Sequence, residues 1–324
     1  MNICLFSFAR IYEDSMVASQ RIAMLISKEL KVPITTDLNI DEQPDKVDLL
    51  LIINGAYGYC RCLNRLGPLV ERSERVVWVQ NDYWIIPPKA QSGAESPFRL
   101  AFRNRAAAGK DHIHYWTTIK DNVKATKYSS YVNWNALTLD DKVTESQIKA
   151  RRVLAGDDVF YFGSWRDGRA KYFDRYFTNP IVNITISSPL VKGKNKFAEK
   201  YKSPKIKHVD KITENFYTYL GARGMGLYLE DRKSHSEYHS PPNRFYEMLS
   251  AGLPIVFQSE SGSTLRQAGY NPEPYQADTS MALERIVRRR ADIGKQQRAE
   301  WWRKAMEDKA AIVPALHEAM RKMG

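Results

Sequence analysis

The sequence predicts an α/β protein made of two doubly wound, parallel-sheet units. Three observations predict it. Short apolar runs alternate with helical patterns, a second such series begins at Asp158, and 324 residues exceed the usual size of one domain.

Taken in order, Asn2 to Phe8 is a nearly continuous apolar run, as expected of a strand buried on both faces of a parallel sheet. Ser19 to Leu30 places Ile22, Ala23, Leu25, Ile26 and Leu30 at helical spacing and leads into an extended stretch around Val32-Pro33-Ile34. Val47 to Ile53 is the next strand and ends in the turn Asn54-Gly55; Val76 to Asp82 is another, polar only at its carboxyl end. Ala90 to Lys127 reads as helical or irregular, with Arg99, Arg103, Arg105, Lys110 and Lys120 among Phe98, Phe102, His112, His114, Tyr115 and Trp116. Such a mixture suits a solvated basic face and a polyanion-facing surface equally. The second unit has strands at Asp158 to Gly163, Ile181 to Ile186, Gly226 to Leu229 and Pro254 to Phe257, and a basic, helix-rich tail follows Ser280. The charged stretch Lys149 to Gly156 sets the expected division between a unit 1–152 and a unit starting at 153.

Lysine and arginine number 49 against 37 acids, a formal charge of +12. That excess favours salt-sensitive binding to phosphate backbones, and an ordinary basic enzyme has it too. No apolar run approaches the roughly 20 residues that cross a bilayer, and Met1 to Phe6 lacks a charged leader, so a cytoplasmic protein with no membrane partner is expected. Cys60 and Cys62 are too close for an easy disulfide and Cys4 lies in a strand, in keeping with a reducing compartment. No Cys/His spacing suggests a metal site; His235 and His239 read as part of a polar loop.

Two segments carry the chemistry. Phe162-Gly163-Ser164-Trp165-Arg166-Asp167-Gly168-Arg169 follows a strand and precedes a helical stretch, which suits backbone N–H groups and the Ser164 hydroxyl to an anion, with Arg166, Arg169 and Lys171 adding charge. In Pro241-Pro242-Asn243-Arg244-Phe245-Tyr246-Glu247, Asn243 is a good N-cap, and Gly252 and Pro254 stop the helix, which is expected over Arg244 to Ala251. Arg244 and Glu247 then share a face, suited to phosphate and to ribose hydroxyls or to a plain surface ion pair. Asp82, beyond a buried strand and before Tyr83 and Trp84, is placed to act as a general base or to form a turn.

The order of Asp48 to Asn64, Val76 to Pro88, Val159 to Arg169 and Asn243 to Ala251, with the tail Arg298 to Ala305, resembles the phage DNA β-glucosyltransferase family of GT-B glycosyltransferases. The resemblance implies two Rossmann-like domains with a cleft between them, 1–152 on the acceptor side and 153–305 binding the donor, and a C-terminal helix, 306–324, crossing back to the first. It implies a UDP-sugar donor such as UDP-glucose, with Mg2+ compatible but not required. Gly163, Ser164 and Arg166 would hold the diphosphate, Arg244 a phosphate, Glu247 the ribose, and Ile212 the uracil through its backbone. Asp82 would be the catalytic base of an inverting transfer to the hydroxymethyl group of 5-hydroxymethylcytosine or 5-hydroxymethyluracil in duplex DNA, by a monomer in the host cytoplasm, protecting phage DNA from restriction. The family's second phosphate-binding arginine falls on Ala170 here, with Arg169 or Lys171 as substitutes, and its acid near the donor sugar has no counterpart in Ser19-Gln20-Arg21. Glucose, a pentose and an aminosugar are all compatible with that change. A GT-B enzyme with a lipid or polysaccharide acceptor is the alternative, and a nucleic-acid-binding protein without catalysis a third reading.

Overall fold

The computed structural model describes residues 1–7, 18–36, 39–43, 45–53, 63–80, 97–110, 113–118, 129–152, 155–190, 193–212, 215–230 and 241–323. They form two compact units: Met1–Leu137 with Ala310–Gly324, and Thr138–Lys309.

The first unit contains β1 (Ile3–Ser7), α1 (Ala18–Leu30), β2 (Ile34–Thr35), β3 (Val47–Ile53), α2 (Leu63–Arg72), β4 (Ser73–Gln80), α3 (Pro97–Ala107), β5 (Ile113–Thr117) and β6 (Ser129–Tyr131). Its sheet runs β2-β1-β3-β4-β5-β6, with every pairing parallel. The expected strand runs are β1, β3 and β4. Leu50, Leu51, Ile52 and Ile53 are fully buried, as a parallel sheet covered on both faces requires. Arg105, in the last turn of α3, ties that helix to the end of α2 and the start of β4: its buried guanidinium donates to the carbonyls of Val70, Ser73 and Glu74. Burial pushes the Arg105 pKa down.

The second unit contains α4 (Glu145–Arg152), β7 (Val159–Phe162), α5 (Ala170–Phe177), β8 (Ile184–Ser187), α6 (Lys196–Lys200), β9 (Ile206–Val209), α7 (Phe216–Gly221), β10 (Met225–Tyr228), α8 (Asn243–Ser250), β11 (Ile255–Phe257), α9 (Gly262–Gln267), α10 (Ser280–Arg288) and α11 (Arg290–Ala310). A last helix, α12 (Ile312–Arg321), belongs to the first unit, where Arg75 Nη1 donates to the Met323 carbonyl at 2.6 Å and His317 faces Glu29. The second sheet, also parallel, runs β11-β10-β7-β8-β9. Its order reverses between β7 and β10, and the carboxyl ends of those strands are where ligands bind in such sheets. Gln297 of α11 covers the edge strand β11, accepting from Ile255 N at 2.8 Å and donating to Ile255 O at 2.6 Å.

The division falls after Leu137, before the boundary at 152 that the sequence suggests. Residues 138–152 look like a linker but bond within the second unit. Asp140 N donates to Ser250 Oγ at 2.8 Å, Tyr217 Oη donates to Thr138 O at 2.9 Å, and Arg152 donates to carbonyls at Gly221, Arg223 and Gly224. Among the described residues, no helix is long and apolar enough to cross a membrane.

Candidate functional site

β7 is short and entirely apolar, and the chain leaves it at Gly163 with φ +147°, a backbone region that side chains rarely adopt. The Gly163 N–H donates to Ser187 O at 3.0 Å, so it completes the sheet rather than facing a ligand. Trp165 then turns inward. Its ring packs on Phe197 at 5.1 Å and Phe173 at 5.4 Å, and its Nε1 donates to Asp167 Oδ1 at 2.7 Å. With Trp165 anchored in this aromatic cluster, Ser164 and Arg166 on either side of it are exposed. A 3-10 turn, Asp167–Arg169, separates Arg166 from α5, so the turn after β7 is longer than the direct strand-to-helix step expected.

Arg169 takes a different course from Arg166. It is 4% exposed, and its guanidinium pairs with Glu230, itself 6% exposed and two residues beyond β10. Lys171 pairs with Glu260 at 3.3 Å. Ala170 starts α5.

Helix α8 begins at Asn243 with Pro242 in the capping position and no side-chain cap, so Asn243 is the first helical residue rather than the cap. It ends where expected. Gly252 has φ +70° and donates to Leu249 O, while Leu253 N donates to Met248 O at 3.0 Å, a left-handed glycine stop. Arg244, in the first turn, reaches back to the carboxyl end of β10. Its Nη1 donates to Leu229 O at 3.0 Å and to Glu230 Oε1 at 3.1 Å, and its guanidinium carbon lies 5.3 Å from the Tyr161 ring centroid and 5.4 Å from that of Phe162.

A Cβ on Gly163 would collide with Arg244 Nη2. The glycine thus serves two needs: the positive φ and the close seat of a guanidinium on the backbone. The structure brings Gly163, Arg169 and Arg244 together around Glu230, at the β7/β10 switch point. Ser164 and Arg166 sit on the same turn as Gly163, exposed to solvent. Glu247 is half-buried on α8, one turn from Arg244. Ile212 is half-buried three residues beyond β9, on the same carboxyl edge of the sheet. Asp82 lies outside the described residues, as do His235, His239, Cys60 and Cys62.

Glu230 is the site residue that sequence reasoning missed. The available signal was an acid directly after the apolar run Met225 to Leu229, the same pattern that singled out Asp82 after β4. Among the described residues no three His, Cys, Asp or Glu side chains come together as a metal site.

No protein-family model and no curated protein matches the chain. Solved structures do. T4 phage BGT in complex with its UDP-glucose substrate superposes with a TM-score of 0.68 at 15% identity, over 98% of this chain and 99% of that one. T4 phage BGT in complex with UDP and Mn2+ gives 0.61 at 15% identity, over 97% and 99%. An α-glucosyltransferase in complex with UDP and a 13-mer DNA containing an HMU base gives 0.55 at 12% identity, over 97% and 94%. From end to end, the chain has the GT-B fold that T4 phage BGT has.

Proposed function

We propose that this protein is a UDP-sugar-dependent DNA glycosyltransferase, moving a sugar to the hydroxymethyl group of a modified pyrimidine in duplex DNA. The observation that carries the reading is the guanidinium of Arg244 seated on Gly163 at the β7/β10 switch point, in a fold shared with a UDP-glucose complex over nearly the whole chain. A diphosphate at this edge meets Arg244 from α8 and Arg166 from the turn after β7, and both guanidiniums can donate bidentate hydrogen bonds to it. Glu247, one turn along from Arg244, is set to accept the ribose hydroxyls, and the backbone at Ile212 faces the same edge as a contact for the uracil. Arg169 supports the site from behind, since its guanidinium is buried against Glu230, the carboxylate that also holds Arg244.

In the transfer, the Asp82 carboxylate takes the proton of the hydroxymethyl group. The freed oxygen attacks the anomeric carbon from the face opposite UDP, the bond from that carbon to the β-phosphate oxygen breaks, and configuration inverts. Charge developing on the leaving diphosphate is stabilised by Arg166 and Arg244. A divalent ion, when present, adds neutralising charge at the diphosphate.

The test is nucleoside mass spectrometry after incubating the protein with hydroxymethylated duplex DNA and a panel of UDP-sugars. A glycosylated hydroxymethyl base is the expected product and names both sugar and base. Absence of product with every donor, in a protein that binds UDP, would reject DNA as the acceptor.

A further inference from the structure

The amino-terminal ends of the second sheet's strands hold another concentration of positive charge, on the edge opposite Gly163 and Arg244. A cavity of about 980 Å3 opens there, bounded by α4, the segments leading into β7 and β11, and the first three turns of α11. Its described lining carries Lys149, Arg152, Arg288, Arg290, Lys295 and Arg298 against one carboxylate, Glu145. Glu145 is taken by Arg298 Nε at 2.9 Å, and Arg288 is taken by Glu284 at 2.7 Å. Lys149, Arg152, Arg290 and Lys295 make no ion pair with a described residue.

Two of these cations, Arg152 and Arg298, are held in place by their neighbours, and the exposed Lys149 and Lys295 flank them. Arg152 is half-buried and fixed by the carbonyls of Gly221, Arg223 and Gly224. Burial and the neighbouring Arg290 push its pKa down to about 10 against the opposing pull of Asp158, so it stays charged at neutral pH. Arg298 lies 3.9 Å from the Trp302 ring centroid, and its Nη1 is buried without a hydrogen-bond partner. Fixed like charges and an orphaned buried donor are both relieved by an anion. A smaller cavity of about 400 Å3 toward the start of β9 shares Arg288 and Arg290 and adds Lys205, but Asp157 and Glu284 also line it, so the excess of positive charge is concentrated in the larger cavity. The four residues of β7 set the two edges roughly 13 Å apart at about 3.3 Å per residue, and they face opposite ends of the sheet.

We propose that this amino-terminal edge is a second anion site, one that binds clustered phosphates independently of the nucleotide site. Four cations that make no ion pair with a described carboxylate suit two or more adjacent phosphates, whether consecutive phosphodiesters of a DNA backbone or a free polyphosphate. The proposal does not rest on the donor reading.

The experiment is calorimetric titration of the whole protein with inorganic tripolyphosphate in saturating UDP, wild type against the Lys149→Glu/Lys295→Glu double variant. Both lysines are exposed, and an unchanged Tm verifies that the variant folds. The expected result is one tripolyphosphate bound alongside UDP, weakened at least about tenfold in the variant, with UDP affinity unchanged. No binding beyond UDP, or equal binding in the variant, overturns the proposal. If UDP itself does not bind, the donor reading fails and tripolyphosphate is titrated alone, so the two failures are distinct. A parallel salt series on duplex DNA identifies the source. A log–log slope shallower by about two in the variant assigns the site to the DNA backbone, and an unchanged slope beside lost tripolyphosphate binding assigns it to a free polyphosphate.

Discussion

Removing the charge of Glu230 would leave the buried guanidinium of Arg169 and the half-buried one of Arg244 without the carboxylate they share. Breaking a buried pair in this way costs roughly 3–5 kcal/mol, so Glu230→Gln is expected to lower the Tm markedly. A bound diphosphate supplies part of the missing charge, so UDP should raise the variant's Tm by more than it raises that of the wild type. Equal UDP-induced shifts would show that Glu230 does not govern Arg244. Gly163→Ala and Arg244→Ala act on one contact from opposite sides. Each is expected to weaken UDP binding by about 1.5–3 kcal/mol, and the double variant by little more than either. Fully additive losses in UDP titrations would separate the two residues. Asp82→Asn should keep UDP-sugar affinity and abolish transfer, because a base on the acceptor side contributes little to donor binding; retained transfer would remove Asp82 from the mechanism. At this scale the sequence spoke through spacing: Arg244 and Glu247 are legible because prolines and a glycine frame a short helix around them. Glu230 is not, because its partners stand 61 and 14 residues away, and only folding brings them near.

Strands were legible where burial made them apolar. β3, β4 and β7 read directly from their runs, whereas β5, Ile-His-Tyr-Trp-Thr, lies among basic residues and reads as irregular. β6, Ser-Ser-Tyr, is a strand only because it pairs with β5, and the edge strand β9, Ile-Lys-His-Val, is partly exposed along its length. Pairing is long-range information that local pattern does not contain. Close approach of elements gives a further prediction. A Cβ on Gly224, just before β10, would meet Asp158 O at 2.5 Å and Asp157 C at 2.8 Å, both backbone atoms bordering β7. Backbone cannot swing aside as a flexible side chain can. Gly224→Ala should therefore destabilise the protein by about 1–3 kcal/mol through overpacking, read as a lower midpoint in denaturant unfolding. An unchanged midpoint would mean that β7 and β10 have room that their spacing denies.

Across the whole chain, two α/β units were legible from two series of apolar runs, but the point where one ends was not. Residues 138–152 carry the charge and polarity of a linker, and only their bonds to Ser250, Tyr217 and the turn after α7 assign them to the second unit. Charge is the other property of this scale. A net +12 is common to a DNA-binding enzyme and to a merely basic one, and salt separates them. Each phosphate neutralised on a duplex releases condensed counterions, so a footprint of about six to ten phosphates loses roughly 10³–10⁵ in affinity between 50 and 200 mM salt. UDP offers a single diphosphate and no condensed atmosphere, so its affinity should fall far less over the same range. Measuring both ligands on one preparation makes UDP the internal control. A steep slope for duplex DNA beside a shallow one for UDP is the expected pair. Two equally shallow slopes would mean that the positive charge is dispersed over the surface without following a DNA backbone, and the acceptor would then have to be sought elsewhere.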